Sequence, residues 1–252
     1  MKRAPDISHP ARAAAPPPAG PGQPRSALRV LADPRARLGL GAAVTLLTAV
    51  AAHGNHVGRA EARTFRLVNG LPDTIYRPTW VVMQLGTLGA APAAAGAAWL
   101  AHDSELACRL LAGGASTWAL SKLVKRLVRR PRPATLLTDA RSRGPDATGL
   151  GYLSGHAGVA AALSVAALPR LSPAGRAATA TVAPIVGLSR IYVGAHLPLD
   201  IAGGAALGIA VDAAVTLLQQ RVCRENQPAA SGDNAWSCQE RGAVTGPHRV
   251  AG

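Results

Sequence analysis

Residues Thr79 to Ala101 run for 23 positions without a charged side chain, in a chain whose 27 Lys and Arg face only 13 Asp and Glu. A helix needs about 20 apolar residues to cross the hydrocarbon core of a bilayer, so this stretch predicts a transmembrane helix. Trp80 and Trp99 lie near its two ends, where interfacial aromatics anchor a span. Shorter or partly charged apolar stretches at about 38–56, 105–121, 155–169, 174–193 and 199–219 predict five more. All are rich in Ala, Gly, Ser and Thr, which let helix backbones approach closely where no hydrophobic force drives helices together. The predicted fold is all-α, a six-transmembrane-helix bundle. A soluble bundle would show a polar face on each helix, and these stretches do not.

The formal net charge of +14 alone would suit a nucleic-acid partner, but long uncharged stretches exclude a soluble nucleic-acid module. Three cysteines (Cys108, Cys223, Cys238) are too few and scattered for a disulfide framework and lack metal-ligand spacing. Residues 1–37 hold eight of the 20 prolines and seven basic residues, which predicts a disordered basic tail. The long Pro-rich leader also argues against reading Leu38 to Ala52 as the core of a signal peptide. Residues 221–252 read as a second loose tail, leaving 38–220 as the membrane domain.

Six spans put both termini on one side of the membrane. With the termini inside, inner and outer segments each hold 13 Lys and Arg, so the positive-inside rule is a tie. Eight of the outer charges crowd into the loop after span three, around Lys125-Arg126-Leu127-Val128-Arg129-Arg130-Pro131-Arg132-Pro133. By itself such a run is a solvated face or a headgroup contact.

Two later segments give it chemical meaning. Ser154-Gly155-His156 opens span four, where a hydroxyl and free backbone N–H groups at a helix N-terminus make an anion receptor. Ser189-Arg190, His196 and Asp200 bridge spans five and six. Span three exits, four enters, five exits and six enters on the same side, so the three segments meet at one membrane face. His196 and Asp200, four residues apart, share a helix face if the helix begins near Leu197, so the carboxylate can hold the imidazole tautomer. Two histidines, a carboxylate and fixed cations suffice for phosphoryl transfer. One imidazole attacks phosphorus, the other protonates the leaving oxygen, and the cations neutralise the equatorial oxygens without a metal.

Lys-x6-Arg-Pro (Lys125, Arg132, Pro133), Ser-Gly-His (154–156) and Ser-Arg-x5-His-x3-Asp (189, 190, 196, 200) resemble the three signature motifs of the type 2 phosphatidic acid phosphatase superfamily, which includes integral-membrane lipid phosphatases. The resemblance covers roughly Leu38 to Leu218. It implies His196 as the nucleophile forming a phosphohistidine, Asp200 as its orienting partner, and His156 as acid for the leaving alcohol and base for water. It also implies Lys125, Arg132, Ser154, Gly155 and Arg190 as the phosphate cradle, an extracytoplasmic site with cytoplasmic termini, a lipid phosphate substrate, and no metal or other cofactor. The second motif usually begins with Pro, and here Leu153 stands in its place; reduced rigidity is expected, not loss of activity. Candidate substrates are phosphatidic acid, phosphatidylglycerol phosphate and polyprenyl phosphates or diphosphates. Rival readings are transfer of the phosphoryl group to another alcohol and a catalytically silent anionic-lipid binder. A vanadium-dependent haloperoxidase has a similar site but is soluble and larger.

Other residues carry smaller expectations. Asp212 lies about 18 Å beyond Asp200 along span six, and pairing with Arg109 is expected because an isolated intramembrane carboxylate is costly. Arg126, Arg129, Arg130, Arg141 and Arg143 read as mostly solvated. The Gly- and Pro-containing stretch from Ala134 to Gly151 reads as a lid over the site. His53 and His56 read as interfacial, and Cys108 as a small buried apolar residue.

Overall fold

The computed structural model describes residues 32–144 and 149–226. The predicted tails lie mainly outside these residues, except that helix α1 (Pro34–Ala52) begins before position 38 and the last helix runs on past position 221 to Glu225. Asp33 caps it by accepting from the Arg35 N–H, and Pro34 suits the first turn, where its missing N–H has no intrahelical partner. The other helices are α2 (Arg59–Asn69), α3 (Tyr76–Met83), α4 (Ala90–Leu100), α5 (Ser104–Val128), α6 (the single turn Pro133–Leu136), α7 (Gly155–Ala167), α8 (Pro173–Tyr192) and α9 (Pro198–Glu225). Asp103, Ser154 and Ser172 cap α5, α7 and α8 through their side chains. Among the described residues there is no strand, only an isolated bridge between Pro131 and Leu150. The all-α expectation holds.

The six-span expectation is met only in part. Two helices are long and apolar enough to cross a membrane, residues 34–55 and α9. The clearest predicted span, Thr79 to Ala101, is instead broken: residues 73–86 and α4 meet at 68°, and together they make at most a third crossing. The break falls where Gln84–Gly86 tightens into a 3-10 turn and Thr87 becomes extended. Gly86 sits so close to the His156 carbonyl that an added Cβ would lie 2.5 Å from its oxygen. The uncharged run therefore supplies a bent element packed against the start of α7. Of the remaining predicted spans, α5 has the length but carries Glu105, Arg109, Lys122, Lys125 and Arg126, α8 carries Arg176 and Arg190, and α7 has only 13 residues.

Burial in this bundle is inverted relative to a water-soluble protein. Leu46, Val50, Leu100 and Leu127 are 66–75% exposed around the perimeter, whereas Arg130, Asp200 and Asp212 are at most 1% exposed. An apolar exterior, with the few buried charges paired inside, is the arrangement a bilayer selects. The interior is built from small residues: α7 and α9 cross so closely that a Cβ on Gly204 would collide with the Ser154 carbonyl oxygen. At the end of the bundle remote from Asp200, Arg109 donates to both oxygens of Asp212 at 2.7 and 2.8 Å, as expected. Arg37, placed by sequence in the tail, donates to Asp212 as well at 2.7 Å. This buried cluster ties α1, α5 and α9 together.

Candidate active site

At the opposite end, the connections α5–α6, α6–α7 and α8–α9 converge. Lys125, in the last turn of α5, turns its ammonium onto the carbonyls of Gly151 (3.0 Å) and Leu150 (3.2 Å), so the first motif touches the segment leading into the second. Ser154 is fully buried, accepts weakly from the Ala157 N–H at 3.4 Å, and donates its own N–H to the Asp200 carbonyl at 2.8 Å. That bond joins the second motif to the third. Gly155 and His156 follow in the first turn of α7, where N–H groups lack intrahelical partners and the helix dipole favours an anion.

His196 lies in the tight connection between α8 and α9, 3% exposed. Its Nδ1 is 3.6 Å from Asp200 Oδ2, an ion-pair separation that is too long for a hydrogen bond. Asp200 Oδ2 accepts the Leu197 N–H at 2.8 Å, which fixes the carboxylate at the start of α9. Burial first, then the charges of Lys125, Arg190, Arg132 and His156, hold the His196 imidazole well below the ordinary histidine range. Lys125, Arg132, His156 and Arg190 all act on this one ring, so the three motifs are neighbours in space. A neutral imidazole beside fixed cations is a nucleophile in its reactive state.

Arg132 and Arg190 line a cavity of about 210 Å³, shared with Tyr76, Trp80 and Met83 on one side and Ser142, Arg143 and Gly144 on the other. Arg190 Nη1 approaches Met83 Sδ at 2.8 Å. The Nε atoms of both Arg132 and Arg190 are buried without a hydrogen-bond partner. Burying such donors unsatisfied is costly, and an anion in the cavity would relieve it. Burial and neighbouring Arg132 also bring the Lys125 ammonium down to about 8. Among the described residues, no three His, Cys, Asp or Glu side chains are grouped to hold a metal ion.

One residue at the site, Glu61, escaped the sequence reading, and two expectations fail, for Arg130 and Arg143. Arg130, expected to be solvated, is fully buried and donates to Asp200 Oδ1 at 3.0 Å and to both oxygens of Glu61 at 3.0 and 2.7 Å. Glu61 was not singled out at all. The available signal was the pattern of α2: Glu61, Ala62, Phe65 and Asn69 form its buried face, while Arg59, Arg63 and Arg66 are exposed. Arg143, also expected in solvent, is pinned. It donates to Asp73 and to the carbonyls of Asn69, Tyr192 and Leu71, and its guanidinium lies 4.3 Å from the Tyr192 ring centroid. The part of the predicted lid nearest the cavity is thus strapped to α2, to the segment 71–73 that follows it, and to α8. Residues 145–148 of that stretch lie outside those described.

Residues 106–224 match the family model of the PAP2 superfamily. A 104-residue stretch is 36% identical to decaprenylphosphoryl-5-phosphoribose phosphatase of two Mycobacterium tuberculosis strains, covering 41% of this chain. The chain spans about half the length of these curated relatives, 56% of each. In fold it is similar to Aquifex aeolicus LpxE, with a TM-score of 0.60 at 22% identity over 66% of this chain and 99% of that one. It is likewise similar to the transmembrane PAP2-type phosphatidylglycerolphosphate phosphatase of Bacillus subtilis, with a TM-score of 0.58 at 22% identity over 73% and 97%.

Proposed function

We propose that the chain is an integral-membrane phosphatase that hydrolyses a phosphomonoester or diphosphate carried on a lipid, through a phosphohistidine. The observation that carries this reading is the convergence of two half-buried guanidinium groups, Arg132 and Arg190, whose Nε atoms are buried without a partner, beside His196 and its carboxylate partner. His196 attacks phosphorus as the P–O bond to the alcohol breaks. His156 gives its proton to the departing oxygen, then takes one from the water that releases phosphate from His196. Lys125, Arg132, Arg190, Ser154 and the N–H groups of Gly155 and His156 hold the transferring phosphoryl oxygens. Asp200 stabilises the imidazolium formed on His196 during the cycle. No step calls for a metal ion.

In this reading α5, α7 and α8 cross the bilayer along with α1, the bent α3–α4 element and α9, shielded from lipid where they carry charge. The site opens at the extracytoplasmic face and the termini are cytoplasmic. Substrates to be compared are phosphatidic acid, phosphatidylglycerol phosphate and polyprenyl-linked phosphates. The last come first, because the 36%-identical relative is named for a decaprenyl-linked phosphoribose.

The test is phosphate release by purified protein in detergent across this panel, with chelator present and no added metal. At least one lipid phosphate should be turned over. His196→Ala and His156→Ala should each lower the rate by at least about 10³-fold. Chelator-sensitive release would overturn the metal-free mechanism, and full activity in His196→Ala would overturn the phosphohistidine.

A further inference from the structure

Asp200 has two oxygens with separate duties. Oδ2 meets the Leu197 N–H and faces His196 Nδ1, whereas Oδ1 is taken by Arg130. Arg130 is in turn held by a second carboxylate, Glu61, whose Oε1 also accepts the Leu199 N–H at 3.1 Å, next to Asp200. The remaining Arg130 contact is the His56 carbonyl at 3.2 Å. All three members of this triad are buried: Arg130 and Asp200 completely, Glu61 at 9% exposure. Burying two carboxylates and a guanidinium is expensive, and a core of apolar residues would be at least as stable. An ordered triad at this position needs a reason beyond stability.

We propose that Glu61 and Arg130 are positioning residues that hold the Asp200 carboxylate in register and set the proton affinity of His196 through it. The inference rests on the phosphatase reading above. Arg130 withdraws charge from Asp200, so the imidazole stays unprotonated and ready to attack. Glu61 balances Arg130, so that Asp200 keeps enough negative charge to stabilise the imidazolium once phosphorus is bound. Glu61 belongs to α2, which contributes no phosphate ligand, and Arg130 to the α5–α6 connection, two residues before the phosphate ligand Arg132.

The charges around His196 are Asp200 on α9, Lys125 on α5, Arg130 and Arg132 on the following connection, His156 on α7 and Arg190 on α8, with the Tyr152 phenol near Asp200. Against that background the two positioning residues act with opposite sign. Removing positive charge in Arg130→Gln lets His196 or Asp200 take up a proton more readily, so the acid limb of kcat/KM moves up in pH. Removing negative charge in Glu61→Gln leaves Arg130 unbalanced and moves the acid limb down. Each shift should be about half a unit to one unit for a charge acting across the triad. Arg130→Lys keeps the charge but loses the fork, so kcat should fall about 10-fold with the limb near its wild-type place.

The experiment is the pH dependence of kcat/KM from about pH 3.5 to 9 for wild type and the three variants, on the lipid phosphate the panel identifies. Opposite shifts of the Gln variants support the inference. Shifts in one direction, or falls in activity without shifts, mean a merely structural triad and overturn it. If Arg130→Gln does not fold, Glu61→Gln decides: a wild-type acid limb and kcat in that variant overturn the inference. A wild-type protein that releases no phosphate from any lipid overturns the phosphatase reading and this inference with it, whereas active wild type with unshifted variants overturns only the latter.

Discussion

Lys125 is the residue whose ionisation most directly limits the proposed site at high pH. It lies past the apolar part of α5, and burial with Arg132 nearby lowers its pKa to about 8. A charged ammonium is needed to hold phosphate, so the useful state is present below about 8 and is lost as pH rises through it. Loss of the Lys125 charge should therefore lower kcat/KM in the free protein as pH rises through about 8. Lys125→Arg, which keeps its charge, should carry activity to higher pH at a lower kcat; an unmoved limb would assign it to another group. These residue types and their spacing were legible in the sequence, because phosphate chemistry restricts which side chains suffice. Arg130 was not legible. In a run of five basic residues among nine positions, nothing local distinguishes the one guanidinium that turns inward to meet Glu61 and Asp200.

Among elements, α9 carries the largest structural duty. Its first turn holds Asp200, its Gly204 lets α7 approach, and its Asp212 binds Arg37 on α1 and Arg109 on α5. Asp212→Ala leaves two buried guanidinium groups without their carboxylate and should destabilise the protein by about 3–5 kcal/mol. A thermal unfolding scan in detergent would read this as a lower midpoint. An unchanged midpoint would mean that Arg37 and Arg109 reach solvent or headgroups instead. The Asp212–Arg109 pair could be anticipated from burial cost and depth alone. The bend between α3 and α4 could not, since absence of charge measures compatibility with lipid and says nothing about helix direction. Gly86 and the extended Thr87 break the run where α7 must pack.

For the whole molecule, the proposed orientation places the α6–α7 connection outside and the α7–α8 connection inside. With Cys108, Cys223 and Cys238 replaced by Ser, a Ser142→Cys variant should react with a membrane-impermeant maleimide on intact cells, and Ser172→Cys only after permeabilisation. The reverse pattern would invert the topology. The amino-acid order by itself determined the solvent this chain requires and the chemistry it can offer. Long uncharged stretches are tolerated only in lipid or a core, and two histidines with a carboxylate among cations suit few reactions other than phosphoryl transfer. The tertiary structure decided which charges act. Inside a bundle of low dielectric, each buried ion must find a partner, and the partners here come from segments as far apart as Glu61, Arg130 and Asp200. That pairing depends on how helices cross, a property of the packed molecule that no local pattern encodes.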